Sequence, residues 1–248
     1  MSDFPTIFDW LQRLDHLRGL PAAYAVIVAA AVIAVMWDWR VTLLALAIHY
    51  LAGTLLFVEV LEPRLAIVKL LVGLFVCLML YLTGRQVDDY RRFVARRYTQ
   101  ERTSGLHRLR EMRLREPVAV LVRIALALAV ILFLATLARH PAYRLPAIPA
   151  PVNLAVFILL GLALLSLSLK PSPLQAGVAL LLLMSGFELF YSALDQSVLT
   201  LLLLAAANLL ITVGVAFLAQ AQALSARPPT PTFEEAEPSP FTMQESSS

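Results

Sequence analysis

Cysteine and charged residues are scarce in this chain. One cysteine, Cys77, stands among 248 residues, and only 15% of the residues are charged. A single thiol excludes a disulfide framework within the chain and a cysteine-based metal site. So little charge, beside 60% hydrophobic residues, excludes an ordinary soluble domain of this length.

Signatures of catalysis are also missing. The sequence has no glycine-rich phosphate loop, no cluster of metal ligands and no nucleophile with a base nearby. Its four histidines (His16, His49, His107 and His140) fall in different segments, which gives little support to haem or metal ligation by a histidine pair. We therefore expect no catalytic centre in this chain alone, no bound cofactor or metal, and no nucleic-acid partner.

Long apolar runs dominate the sequence instead. A helix that spans a bilayer needs about 20 apolar residues, and only helices and closed barrels satisfy every backbone group in lipid. The first run lacks the small-residue cleavage site of a signal peptide. We predict an all-α polytopic membrane protein with about seven transmembrane helices, at roughly 22–37, 41–60, 65–83, 118–138, 152–169, 174–194 and 197–220.

Two terminal segments differ from these runs. Residues 1–21 place Ile7, Phe8, Leu11 and Leu14 at helical spacing, which predicts an amphipathic helix at the membrane surface. Residues 225–248 are rich in proline, serine and glutamate, which predicts a disordered tail.

The segment 84–117 contains ten arginines, and we expect it to be a loop. Loops this basic stay in the cytoplasm, so we predict the inner membrane of the cell, with the N-terminus outside and the C-terminus cytoplasmic. Its arginines could bind anionic lipid or dock an acidic partner, or they could belong to a merely solvated pair of helices. The candidates for docking are Arg91, Arg92, Arg96 and Arg97.

The sequence also contains an internal similarity. A shift of 133 residues aligns AGTLLFVEVLEPRLA (52–66) with SGFELFYSALDQSVL (185–199). Gly53 then aligns with Gly186, and the turn between two spans falls at the same aligned position in both copies. We predict a three-helix unit over 22–83 and a second over 152–222. Helix 118–138 between them restores the chain direction, which makes the repeat parallel.

Five ionisable or strongly polar residues within the predicted spans are candidates for function. Glu188 lies about seven residues before a turn, roughly 10 Å into the bilayer. A carboxyl group there must face protein or water, where it can relay protons or can simply hydrogen-bond between helices. The others are His49, Glu59, Lys69 and Asn208.

Glu59 and Lys69 lie on either side of Pro63, on adjacent antiparallel helices. An ion pair between them is geometrically easy, and it could be functional or could only hold the hairpin together. Glu59 could instead extend toward the membrane surface. His49 could join a relay or could be a hydrogen-bonded structural residue, and we expect Arg123 to reach the cytoplasmic interface.

Residues 155–220 resemble one protein family, and residues 22–83 resemble it only loosely. The segment SLSLKPSPLQAGVALLLLMSGFELFYSAL, followed by LLLLAAANLLITVGVAFLAQ, resembles the three-helix K subunit of respiratory complex I (NuoK type). It is similar also to the C subunit of Mrp-type cation/proton antiporters and to the E subunit of group 4 membrane-bound hydrogenases. Gly186, Phe187, Glu188 and Leu189 match the G-[LF]-E-[LI] motif of that family. Asn208 stands where the family has a second glutamate.

The resemblance implies that Glu188 is a proton-relay carboxyl group and that Lys69 matches a lysine of the longer hydrogenase subunits. It implies a non-catalytic membrane subunit of a complex I-like or group 4 hydrogenase-like assembly, part of a proton or sodium path. The partners would be antiporter-like and NuoJ- or NuoH-like chains, which would hold any redox cofactors. An antiporter subunit and a structural scaffold that docks a soluble partner are the alternatives.

Overall fold

The computed structural model describes residues 19–60, 63–99, 108–143, 148–195 and 197–225. Within these ranges the chain forms helices and no strand, which confirms the all-α fold. The seven α-helices are α1 (Leu20–Val35), α2 (Trp39–Val60), α3 (Pro63–Thr99), α4 (Arg108–Arg139), α5 (Ala150–Leu169), α6 (Pro173–Leu194) and α7 (Val198–Ser225), and a 3-10 turn, Pro141–Tyr143, follows α4.

Six of these helices, α2 to α7, are long and apolar enough to cross a membrane. Helix α1 is also apolar but has only 16 residues, a length of about 24 Å. The chain is therefore a polytopic helical membrane protein.

The structure differs from the predicted boundaries in the arginine-rich segment. Helix α3 continues from the membrane through 84–99, and α4 begins at Arg108, so both flanks of 84–117 are helical rather than a loop. The reason lies in the sequence, because no glycine or proline occurs between Arg85 and Thr99 to end the helix. The predicted helix at 1–21 and tail at 225–248 lie almost wholly outside the described residues.

The helices form two rows of three. In the first row α2 packs against both α1 and α3, and in the second row α6 packs against both α5 and α7. The rows stack so that α1 contacts α5, α2 contacts α6 and α3 contacts α7, while α4 lies beside α5 and α1. Each helix thus packs against its equivalent in the predicted duplication. The duplication itself remains a prediction from the sequence.

Polar contacts join the two rows at the end where α1 stops. The Lys170 ammonium donates a hydrogen bond to the carbonyl of Met36, and the Gln175 amide donates one to the carbonyl of Trp37. Burial, with a smaller contribution from the nearby charge of Arg123, lowers the pKa of Lys170 from 10.5 to about 8. The Arg123 guanidinium lies over the Trp37 ring, 4.2 Å from its centroid. Lys170 and Gln175 thus provide hydrogen bonds for two backbone carbonyls that would otherwise have no partner beyond the end of α1.

Close helix contact in the second row depends on glycine. A Cβ atom placed on Gly177 of α6 would lie 2.3 Å from a methyl carbon of Val215 on α7. Valine has little rotamer freedom in a helix, so its side chain cannot easily move aside. Only glycine therefore fits at position 177 without a shift of α7.

We predict that Gly177→Ala lowers the melting temperature of the detergent-solubilised chain, because overpacking of this kind costs about 1–3 kcal/mol. The matched control is Gly53→Ala, since a Cβ atom on that buried helical glycine meets no atom within 4 Å. Circular dichroism on heating measures both variants. A melting temperature of Gly177→Ala equal to or above that of Gly53→Ala would contradict the described packing.

Candidate functional site

Helix α6 carries Glu188, and its ends are fixed by local sequence. At its start the Ser172 hydroxyl accepts a hydrogen bond from the backbone N–H of Gln175, and Pro173 occupies the first turn. At its end Asp195 accepts hydrogen bonds from the Ser197 backbone N–H (3.0 Å) and the Thr200 hydroxyl (3.0 Å), so it connects α6 to the start of α7. These contacts fix where α6 begins and ends, and the helix itself packs between α2, α5 and α7.

The Glu188 side chain is buried between the two rows of helices. The residue is 2% exposed, and its carboxylate forms an ion pair with the Lys69 ammonium of α3. Helix α3 belongs to the first row and α6 to the second, so the pair connects the two units. An ion pair at this depth carries a large desolvation cost, which makes it a candidate for function rather than a simple stabilising contact.

Aromatic rings surround the ammonium group of Lys69. Its nitrogen lies 5.8 Å from the ring centroid of Tyr50 and 5.5 Å from that of Phe57, both on α2. Rings at this distance attract a cation through their negative faces. The Lys69 charge is therefore stabilised by one carboxylate and two rings.

Asn208 occupies the other side of the carboxylate. Its side-chain N–H donates a hydrogen bond of 2.7 Å to Oε1 of Glu188, while the ammonium of Lys69 approaches Oε2. Asn208 is 1% exposed. Each oxygen of Glu188 thus has its own partner, one from α3 and one from α7.

A second polar contact lies one helical turn away on α6. The Nε2 atom of His49 on α2 lies 2.9 Å from the hydroxyl oxygen of Ser185, and both residues are buried. Ser185 precedes Glu188 by three residues, so the two side chains share one face of the helix. Buried Ser192 continues the same face. Neither serine was predicted as a site residue, although their spacing from Glu188 was a usable signal.

The structure brings together four of the five predicted polar residues: Glu188, Lys69, Asn208 and His49. The ion pair of Lys69 is with Glu188, across the two rows, whereas the sequence analysis considered Glu59 of the adjacent helix. The carboxylate of Glu59 lies beside Gly19, with an oxygen 3.2 Å from where a Cβ atom of that glycine would be. The positions of Glu59 and Lys69 on either side of Pro63 therefore did not identify the ion-pair partner of Lys69.

Residues 84–99 of the arginine-rich segment lie away from this site, on the extension of α3. Asp88 accepts a hydrogen bond of 2.9 Å from the guanidinium of Arg92, and Arg40 of α2 lies 3.4 Å from the same carboxylate. The side chains of Arg91, Arg96 and Arg97 lie outside the described part of the chain. Arg123, which we expected to reach the interface, stacks on Trp37 at the same end of the bundle.

A cavity of about 360 Å³ lies beside the ion pair, between α3 and α7. Lys69 and Glu188 are the charged residues in its wall, and the remainder of the wall is apolar. Wall residues Val68 and Leu202 are also exposed on the outer surface, 53% and 65% respectively. The cavity therefore opens sideways, toward the membrane or a neighbouring chain.

No group of three or more metal-ligating side chains (His, Cys, Asp or Glu) converges among the described residues. Comparison of the chain with protein-family models, with curated proteins and with solved structures gives no match. A buried carboxylate in contact with an ammonium and an amide, and near a serine–histidine contact, can exchange protons with its neighbours.

We predict that removing one charge of the pair is more destabilising than removing both. Lys69→Met leaves the carboxylate of Glu188 buried without its cation, which costs about 3–5 kcal/mol, whereas the double variant Lys69→Met/Glu188→Met replaces the pair by apolar groups. Thermal unfolding of the purified chain in detergent measures the difference. Arg64→Met, an exposed position on α3, is the control for loss of one positive charge. A double variant less stable than Lys69→Met would contradict the ion pair.

Proposed function

We propose that this chain is a membrane subunit in which Glu188 and Lys69 carry one step of a proton path. The observation that supports this most directly is their buried ion pair at the junction of the two helix rows. In that step a proton leaves the ammonium nitrogen of Lys69 and binds Oε2 of Glu188, which leaves a neutral amine and a neutral carboxylic acid. The ion pair is restored when the Glu188 carboxyl group passes its proton onward and the Lys69 amine takes up a new proton, so the cycle moves one proton and consumes no other reactant.

The neighbours of the pair suit this exchange. Asn208 donates to Oε1 of Glu188 and cannot itself take the proton, so it holds the carboxyl group in place while the other oxygen reacts. Ser185 lies one turn before Glu188 on α6 and contacts His49 of α2. Both side chains can pass a proton, because a hydroxyl both donates and accepts and a neutral imidazole does the same. In this proposal they form the next part of the path.

The site favours a proton over a sodium ion. Hard cations such as sodium are bound by several oxygen ligands, but here the carboxylate already has an ammonium group on one oxygen and an amide N–H on the other. A metal cation at the same place would be repelled by Lys69. The ammonium group would have to leave before sodium could bind.

The proposed orientation rests on the distribution of arginines. The end of the bundle with the α3 extension carries Arg40, Arg85 and Arg92, and positively charged ends of this kind face the cytoplasm. We propose that this end is cytoplasmic in the inner membrane of the cell. In this proposal α1 crosses the membrane together with the six longer helices, and seven crossings leave the N-terminus outside and the C-terminus inside.

The proposal extends to a larger assembly. The G-F-E-L motif at 186–189 resembles the K-subunit family, and α3, α4 and α7 expose broad apolar faces that neighbouring subunits could cover. Such partners would be antiporter-like and NuoJ- or NuoH-like membrane chains. A complex that contains iron–sulfur proteins would indicate a redox-linked pump, and one without them would indicate an antiporter.

To test the proton path, the tagged chain is purified from its native membrane with its bound partners and reconstituted into vesicles. Proton uptake is followed with a pH-sensitive dye under an imposed membrane potential. We expect Glu188→Gln to reduce proton uptake about a hundredfold or more, because an amide cannot accept and release the proton. The matched carboxyl-to-amide control is Glu234→Gln, far along the chain from the site.

The set of co-purifying chains must be the same in both variants, so that a loss of flux is not a loss of assembly. Proton uptake by Glu188→Gln equal to that of the control would reject the relay. In that case the better proposal for the function of this chain would be a structural scaffold that docks a soluble partner through the arginine-rich segment. Neutralising Arg91, Arg92, Arg96 and Arg97 together would then be expected to disrupt the complex.

A further inference from the structure

A groove of about 680 Å³ runs along the surface between α2 and α3, separate from the ion pair. At the end nearer the middle of the bundle the wall is apolar, formed by Leu43, Leu44 and Ala47 of α2 and by Leu78 of α3. At its end the wall becomes charged, where α3 extends beyond the apolar part of the bundle. The groove thus passes from apolar to ionic along the direction of the helices.

Two aromatic residues mark the level at which this change occurs. The rings of Trp39 on α2 and Tyr81 on α3 lie 6.1 Å apart, and both residues line the groove. Tryptophan and tyrosine concentrate at the boundary between the hydrocarbon and the headgroups of a bilayer. The charged end of the groove therefore lies at the level of lipid headgroups, and the apolar part lies at the level of acyl chains.

The charged end carries an excess of positive charge. Among the described residues, Arg40, Arg85 and Arg92 line it together with Asp88 and Asp89, and these five side chains have a net charge of +1. Asp88 contacts both Arg40 (3.4 Å) and Arg92 (2.9 Å), so one carboxylate holds two guanidinium groups side by side.

Those two guanidinium groups remain available to a ligand. The side chains of Arg40 and Arg92 are 61% and 60% exposed, although each contacts Asp88. A guanidinium has five N–H donors, and one carboxylate uses few of them. Two adjacent guanidinium groups form a site for a phosphate, which accepts such donors in pairs.

We propose that this groove binds one anionic phospholipid, with its phosphodiester on Arg40 and Arg92 and an acyl chain along the apolar wall. A phospholipid carries a phosphate at the depth of the headgroups and acyl chains at the depth of the hydrocarbon, as this groove requires. A soluble acidic peptide has no apolar chain to bind the wall inside the bilayer. The net charge of +1 at the charged end is neutralised by a lipid of charge −1, such as phosphatidylglycerol. A zwitterionic lipid leaves that charge uncompensated.

The test uses the full chain, purified in detergent and stripped of lipid. Native mass spectrometry measures binding during titration with phosphatidylglycerol or with phosphatidylcholine of the same acyl chains. We expect tighter binding of phosphatidylglycerol, and about a tenfold or greater loss of that affinity in Arg40→Gln/Arg92→Gln. The matched control is Arg64→Gln/Arg139→Gln, which removes the same charge at the opposite end of the bundle.

A second variant tests the apolar part without changing charge. Ala47→Trp fills the groove, and we expect it to weaken binding of both lipids while the charged end is intact. Equal affinity for the two lipids would overturn the proposal, as would equal phosphatidylglycerol affinity in the two arginine double variants. Capture of a polypeptide, instead of lipid, by a photo-crosslinker at position 44 in the purified complex would also overturn it.

Discussion

The ion pair between Lys69 and Glu188 is the interaction on which the arrangement of the two helix rows depends. Neither charge is stable alone at this depth, because an unpaired ion inside a bundle of this kind carries a cost of several kcal/mol. The pair therefore restricts how α3 and α6 can rotate and slide. Asn208 and the rings around Lys69 then complete the contacts of both groups.

The two predicted units contribute different halves of this pair. A shift of 133 residues places Leu55 at the position of Glu188 and Leu202 at the position of Lys69. The first unit thus supplies only the cation, and the second supplies only the carboxylate. If the units arose by duplication, they diverged so that the buried charge of each unit needs the opposite charge of the other. This requirement accounts for a polar contact at the centre of an apolar interface.

Much of the fold follows from the sequence, because runs of about 20 apolar residues predict spanning helices directly. Glu188 and Asn208 were also identifiable, since a strongly polar residue in an apolar run is conspicuous. The ion-pair partner of Lys69 was not predictable. Helical spacing shows which residues share one face of a helix, but it does not show how the two rows of helices pack against each other. Ser185 was missed because serine is common in membrane helices. A pair of helices was one alternative for the arginine-rich segment, but the continuation of α3 from the apolar span to Thr99 was not predicted.

The most direct test is solid-state NMR of the chain in lipid bilayers, with ¹⁵N at the lysine side chains and ¹³C at the glutamate carboxyl groups. Lys170→Arg removes the other lysine signal, which leaves only Lys69. The account predicts a strong dipolar coupling between Lys69 Nζ and the Glu188 carboxyl carbon, and its disappearance in Glu188→Gln. A Lys69 signal without coupling to that carboxyl carbon would contradict the ion pair and the proton path built on it.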